Sequence, residues 1–141
     1  MKKSESLIFI CSPLRDYIDT EGKLNGVEEN IERARAYGAY CVETLGYRKA
    51  FVPHNIATFL DARNKEEDSL GATMSKAALR QCHAVAVCGD YVSPGMRAEI
   101  EEAESCGMHT GGVPKNVLNT VIAAATPNST STANSCVQIV E

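Results

Sequence analysis

The chain reads as an α/β protein built on a parallel sheet of four or five strands with helices on both faces. Three observations predict it. Two short, continuous apolar runs, Leu7-Ile8-Phe9-Ile10-Cys11 and Ala84-Val85-Ala86-Val87-Cys88, have the pattern of strands buried on both sides. Each strand candidate is followed by a segment with helical apolar spacing. Three such β-then-α units in succession imply parallel strands joined by right-handed crossovers.

The elements follow in order. The first strand, 7–11, ends at Ser12-Pro13-Leu14-Arg15-Asp16, because Pro13 cannot continue a ladder. A long polar loop then runs to Gly26. The first helix spans 26–45, with Val27, Ile31, Ala34, Cys41 or Val42, and Leu45 on one stripe. Asn25 with Glu28 three residues on resembles a capping box, and Gly46 supplies the stop. Gly38 inside that helix suggests close approach to the sheet. The second strand is 49–52, ended by Pro53, with His54 and Asn55 just beyond. Ile56, Phe59 and Leu60 suit a short helix, and 63–68 reads as a charged surface segment. The next helix is expected at 70–82, with Leu70, Met74, Ala77, Ala78 and Cys82 inward. The third strand is 84–88, and a helix carrying Met96, Ile100, Ala103 and Gly107 on its inner stripe follows it.

After Gly107 the pattern weakens. Residues 108–114 are Gly-rich, and 117–125 is apolar enough for a last strand or short helix. From Thr126 to Ser135, eight of ten residues are Ser, Thr or Asn, a composition too polar to order itself by burial. The organisation expected is one α/β domain, 1–125, and a tail, 126–141, with a short strand at 137–140. Asn128-Ser129-Thr130 matches a glycosylation acceptor, discounted here because no signal peptide is seen.

Composition bounds the function. Apolar residues make up 44% of the chain, enough for a real core, and the net charge of −4 with no basic stripe argues against nucleic acid as a partner. No segment approaches the roughly 20 apolar residues of a membrane span, and a cytoplasmic protein is expected. The six cysteines contain no C-x-x-C pair, so they read as small buried apolar fillers rather than metal ligands. No metal and no cofactor are expected. The glycines match neither G-x-G-x-x-G nor a Walker loop, so dinucleotide and NTP binding are unsupported.

The chemistry-bearing residues collect at the strand ends. Parallel strands deliver Ser12, Pro13 and Arg15, then His54, then Asp90 and Ser93 to one edge of the sheet, where open α/β sheets build their sites. Each has a plain structural reading: His54 satisfying a loop, Asp90 as a turn residue after Gly89, Ser93-Pro94-Gly95 as a helix start. The last could equally leave backbone N–H groups free for an anion. Glu101, Glu102 and Glu104 read as a solvated face. Glu99 flanks the buried stripe and is placed by this reading in the first turn, where the helix dipole favours a carboxylate. It is either a dipole-complementing charge or an ionised carboxylate nucleophile partly shielded from water.

A resemblance sharpens the choice. Ile10-Cys11-Ser12-Pro13-Leu14, Asn30 and Ala34, Gly46, Val52-Pro53-His54, and above all Ser93-Pro94-Gly95-Met96-Arg97-Ala98-Glu99-Ile100-Glu101-Glu102-Ala103 together resemble the nucleoside 2-deoxyribosyltransferase-like superfamily. Within it the chain is most similar to a small phage and bacterial branch of the DUF4406 or DUF7768 kind. The likeness runs over roughly residues 7–107. It implies a flavodoxin-like three-layer sandwich and a glutamate, matched by Glu99, that attacks the anomeric carbon of a nucleoside or nucleotide. Ser12, Pro13, Arg15, His54, Asp90, Ser93, Gly95 and Met96 would line the substrate. Two departures stand out. Gln81-Cys82-His83 replaces the aspartate often found before the third strand, and His109-Thr110-Gly111-Gly112 stands where relatives run into another strand. The expected function is an N-glycosidase or deoxyribosyltransferase, working on a small molecule as a homo-oligomer. The competing readings are a nucleotide-binding module of the same fold that turns nothing over, and a purely structural or interaction protein in which Glu99 is a helix-start charge.

Overall fold

The computed structural model describes residues 2–61 and 63–119. Four parallel strands form the sheet: β1 (Leu7–Cys11), β4 (Lys49–Phe51), β5 (Ala84–Cys88) and β6 (His109–Val113). Their order is β4-β1-β5-β6, so the first strand lies inside and the chain returns to either side of it. Helix α1 (Val27–Glu43) joins β1 to β4, α2 (Lys65–Leu79) precedes β5, and α3 (Pro94–Ser105) joins β5 to β6. Two short antiparallel strands, β2 (Tyr17–Ile18) and β3 (Leu24–Asn25), form a hairpin between β1 and α1. The architecture is the flavodoxin-like three-layer sandwich.

Strand alternation sorts the core into two layers. Ile8 and Ile10 of β1, with Ala84, Ala86 and Cys88 of β5, pack on Ala34, Tyr37 and Cys41 of α1. Phe9 and Cys11, with Val85, face the other way onto Leu79, Met96 and Ala103, which brings α2 and α3 to the opposite face. Phe9 has no exposed surface, and burying such a side chain contributes about 2–3 kcal/mol. Its ring stacks on Phe51 of the neighbouring strand at 5.9 Å.

Several boundaries differ from the sequence expectation. The segment 109–113 is a strand: β6 pairs with β5 from Ala84↔His109 to Cys88↔Val113. Two glycines lower its intrinsic strand preference, and pairing with a buried neighbour overrides that weakness. Residues 117–119 begin a helical turn, with Leu118 buried in the α1-side core. The tail 126–141, the strand at 137–140 and Cys136 lie outside the described residues.

The α1 cap is also different. Gly26, not Asn25, is the N-cap residue and offers no side chain. The free amide of Val27 instead donates to Asp16 Oδ1 at 3.0 Å, from eleven residues upstream. Asn25 is buried elsewhere, donating to Asp19 and to the Lys23 carbonyl and accepting from Arg33. The stop at Gly46 is as expected: its φ of +87° is one that a glycine adopts without strain.

Helix α2 departs most. It begins at Lys65, so the charged segment is its first turn. Asn64 Oδ1 accepts from the amides of Glu66 and Glu67. Its buried residues are Ser75 and Leu79, whereas Leu70 and Met74 are about half exposed. The buried face runs through Ser75 and Leu79, one residue on from the expected Met74 and Ala78, so Leu70 and Met74 turn toward solvent. Phe59, in the turn before α2, is 87% exposed. Cys11, Cys41, Cys82 and Cys88 are buried fillers, but Cys106 is exposed. No helix among the described residues is long and apolar enough to cross a membrane.

Candidate functional site

The carboxyl ends of β1, β4 and β5 meet at one edge of the sheet. Helix α1 leaves β1 on one face and α2 lies on the other, so a crevice opens where the connections diverge. There the structure has a cleft of about 540 Å³. The tips of β1 and β4 supply Ser12, Arg15 and His54, and the β5–α3 turn supplies Ser93, Gly95, Met96 and Glu99. These seven residues, drawn from distant parts of the chain, share one hollow. Pro13 and Asp90 do not reach it. They line a separate crevice of about 10 Å³, too small for a ligand. The two spaces share Ser12, Tyr17 and Tyr91, and the two tyrosine rings stack at 4.3 Å and 5°.

The β5–α3 turn is set by local chemistry. Gly89 has φ +88°, and a Cβ there would lie 3.3 Å from Tyr37 Oη, so glycine suits both the backbone and the space. Ser93 is the N-cap: its Oγ accepts from the Met96 amide at 3.2 Å, while the Ser93 amide donates back to Met96 Sδ at 3.4 Å. Pro94 then occupies the first helical position. With Ser93 as the cap, Glu99 is the sixth residue of α3. It belongs to the second turn, not the first, and the helix dipole falls off within one turn.

Burial therefore governs Glu99 more than the dipole does. Its carboxyl is half-buried in the cleft wall, and desolvation raises its pKa from 4.5 to about 7. A hydrogen bond from the Cys11 thiol and the nearby Lys76 charge pull it down, and neither offsets burial. Cys11 is kept neutral by burial first and by the adjacent Glu99 charge second, so it acts as a donor. In the structure the thiol donates to the Met96 carbonyl at 3.6 Å. The expectation of a carboxylate that stays ionised at neutral pH is thus corrected: burial brings Glu99 to titrate near neutrality. That places it where an acid–base or nucleophilic group is most useful.

His54 is a strut. Only 3% of it is exposed, and its Nε2 lies 3.0 Å from the Pro13 carbonyl. A carbonyl only accepts, so Nε2 carries the proton and donates. Burial lowers the ring's pKa to about 4, which leaves it neutral. His54 ties the tip of β4 to the tip of β1, and among the described residues its buried Nδ1 has no hydrogen-bond partner. Asn30 on α1 does similar work, donating to the carbonyls of Leu14 and Arg15, both at 3.0 Å. Arg15 itself crosses to α2 and pairs with Asp68.

The α2 wall was missed by sequence reasoning. Glu67, Asp68, Gly71, Ala72, Ser75 and Lys76 face the cleft, and Leu14, Ile56, Ala57 and Leu60 give it an apolar lining. The signal lay in Asn64-Lys65-Glu66-Glu67, a capping residue with a glutamate three places on. Read as a cap, it starts α2 in the observed register. Gln81, Cys82 and His83 lie at the other end of the sheet: the Leu7 amide donates to His83 Nδ1 at 2.9 Å, at the start of β1. That departure from the resemblance is remote from the cleft. Among the described residues, no group of three or more His, Cys, Asp or Glu is placed to hold a metal ion.

A family model described as a domain of unknown function, DUF7768, matches residues 6–111. No curated protein and no solved structure matches the chain.

Proposed function

Because the chain belongs to the DUF7768 family, whose description assigns no activity, function must come from the chemistry of the cleft, and we propose that it cleaves the N-glycosidic bond of a nucleoside or nucleotide. The observation that carries the reading is Glu99: a half-buried carboxyl, with its pKa raised to about 7, open to a cleft shared with Ser12 and His54. Packing alone does not favour a carboxyl there, since burying one without a paired cation is unfavourable. The likeness of the 93–103 segment to the nucleoside 2-deoxyribosyltransferase-like superfamily supports the same assignment.

In the proposed reaction an ionised Glu99 oxygen attacks the anomeric carbon. The bond to the base nitrogen breaks, and its electron pair leaves with the base, which takes a proton from solvent. The transition state is oxocarbenium-like, and the neighbouring carboxylate stabilises it before closing to a glycosyl ester. Water or a second base then attacks the same carbon and releases Glu99. The hydroxyls of Ser12, Ser75 and Ser93 hold the sugar, and the Tyr17–Tyr91 pair walls the base. A homo-oligomer belongs to the proposal, supported by the exposed Phe59, Leu70 and Met74.

The test is release of free base, followed by chromatography, from a panel of nucleosides and nucleotides. Release by the wild-type chain that disappears in Glu99→Gln supports the enzyme. Ligand-induced thermal stabilisation without product, retained in Glu99→Gln, establishes the binding module instead.

A further inference from the structure

We propose that the cleft selects an unphosphorylated ligand, and that Glu67 and Asp68 in the first turn of α2 are the specificity residues that turn a phosphate ester away. The inference rests on the nucleoside reading above and deepens it. Four carboxylates line the cleft, Asp16, Glu67, Asp68 and Glu99, against two cations, Arg15 and Lys76. Only one of the two cations is ion-paired within the lining. The Arg15 guanidinium is paired with Asp68, which leaves Lys76 facing three further carboxylates, Asp16, Glu67 and Glu99.

The neutral donors that usually cradle phosphate are spent as well. A helix N-terminus binds anions through unsatisfied amides, but Pro94 has none. The Met96 and Arg97 amides both donate to Ser93, to its Oγ and its carbonyl respectively. The expected anion cradle at Ser93-Pro94-Gly95 is therefore reduced to the amide of Gly95. His54 is neutral, and its one N–H is given to the Pro13 carbonyl. The remaining neutral side-chain donors among the lining residues are hydroxyls, those of Ser12, Ser75, Ser93, Tyr17 and Tyr91, which suit sugar hydroxyls and base amides. A phosphate dianion placed here would meet an excess of carboxylates over cations among the described lining residues, a repulsion that added salt screens.

The experiment measures binding of 2′-deoxyadenosine, thymidine, their 5′-monophosphates and inorganic phosphate to the full chain. Calorimetry on Glu99→Gln, which lacks the proposed nucleophile, keeps the ligands intact. The expected result is that each monophosphate binds at least about tenfold more weakly than its nucleoside, with the gap narrowing as salt is added. In the further variant Glu67→Gln/Asp68→Asn, monophosphate affinity rises about tenfold while nucleoside affinity stays put. A monophosphate that binds as tightly as its nucleoside, or a gap indifferent to salt and to the double substitution, overturns the inference and leaves the glycosidase reading intact. Should the double variant not fold, the salt dependence in Glu99→Gln decides alone. Nucleoside binding without base release by the wild-type chain removes the glycosidase reading and leaves the selectivity standing. Absence of all binding removes both.

Discussion

Glu99→Gln should stabilise the protein, and by an amount that depends on pH. Folding moves the Glu99 carboxyl from 4.5 to about 7, which corresponds to about 3 kcal/mol between its two protonation states. The sign follows from which form the fold prefers. The native state favours protonated Glu99, so its contribution is complete below pH 4.5 and is lost as pH rises through 7. His54 runs the other way. Its value falls from 6.5 to about 4, so the neutral ring's contribution is complete above pH 6.5 and is lost as pH falls through 4. That too is about 3 kcal/mol. Between pH 4.5 and 6.5 the two slopes oppose and largely cancel in the wild-type chain. Glutamine mimics the protonated carboxyl and leaves His54 unbalanced. Apart from a constant offset, the stability gained by Glu99→Gln therefore grows from near zero at pH 4.5 to about 3 kcal/mol at pH 8. Urea denaturation of both chains at half-unit pH steps reads this directly. Groups common to both cancel in the difference. A difference that does not change with pH would mean that Glu99 is solvated, and would refute the reasoning from burial. Stability gained on removing the proposed nucleophile is the trade-off that the proposed function predicts.

Other outcomes follow from the same contacts. The acid limb of base release, read as kcat/KM against pH, should fall near pH 7, and Cys11→Ala should move it higher by removing a hydrogen bond that lowers the Glu99 value; a limb left at pH 4 to 5 contradicts this. Asn30→Ala should lose about 2 kcal/mol in chemical denaturation, because the Leu14 and Arg15 carbonyls lose their buried donor, and it should weaken ligand binding as that loop loosens. Ser93→Ala should cost about 1 kcal/mol as the cap of α3 is lost, with no change in the pH slope assigned to Glu99. Gly89→Ala should cost about 1–3 kcal/mol, since φ +88° is strained for alanine and the methyl crowds Tyr37; denaturant midpoints test both.

The strands β1 and β5 and helix α3 were legible because their signals are local. A five-residue apolar run is a buried strand whatever surrounds it, and Ser93-Pro94 starts a helix by its own chemistry. Strand parity and the βα order carry the sheet edge with them, so Ser12, His54, Ser93 and Glu99 could be assigned to one place from the chain alone. The β6 edge strand was not legible: two glycines carry no strand preference, and only pairing with β5 makes them one. Nor was the α1 cap, which comes from Asp16 in a loop folded back over eleven residues.

Period and element order determined the α/β class, the parallel sheet and the glutamate at the edge of the α3 stripe, because each is carried by local spacing or by the β-then-α succession. The tertiary structure decided what those residues face. It put the charged turn of α2 across from Glu99, kept Asp90 out of the cleft, tied His54 to Pro13 and buried the carboxyl until its proton affinity rose. Burial and charge pairing are properties of elements meeting in space, and no spacing along the chain encodes how far a neighbouring helix rotates about its axis.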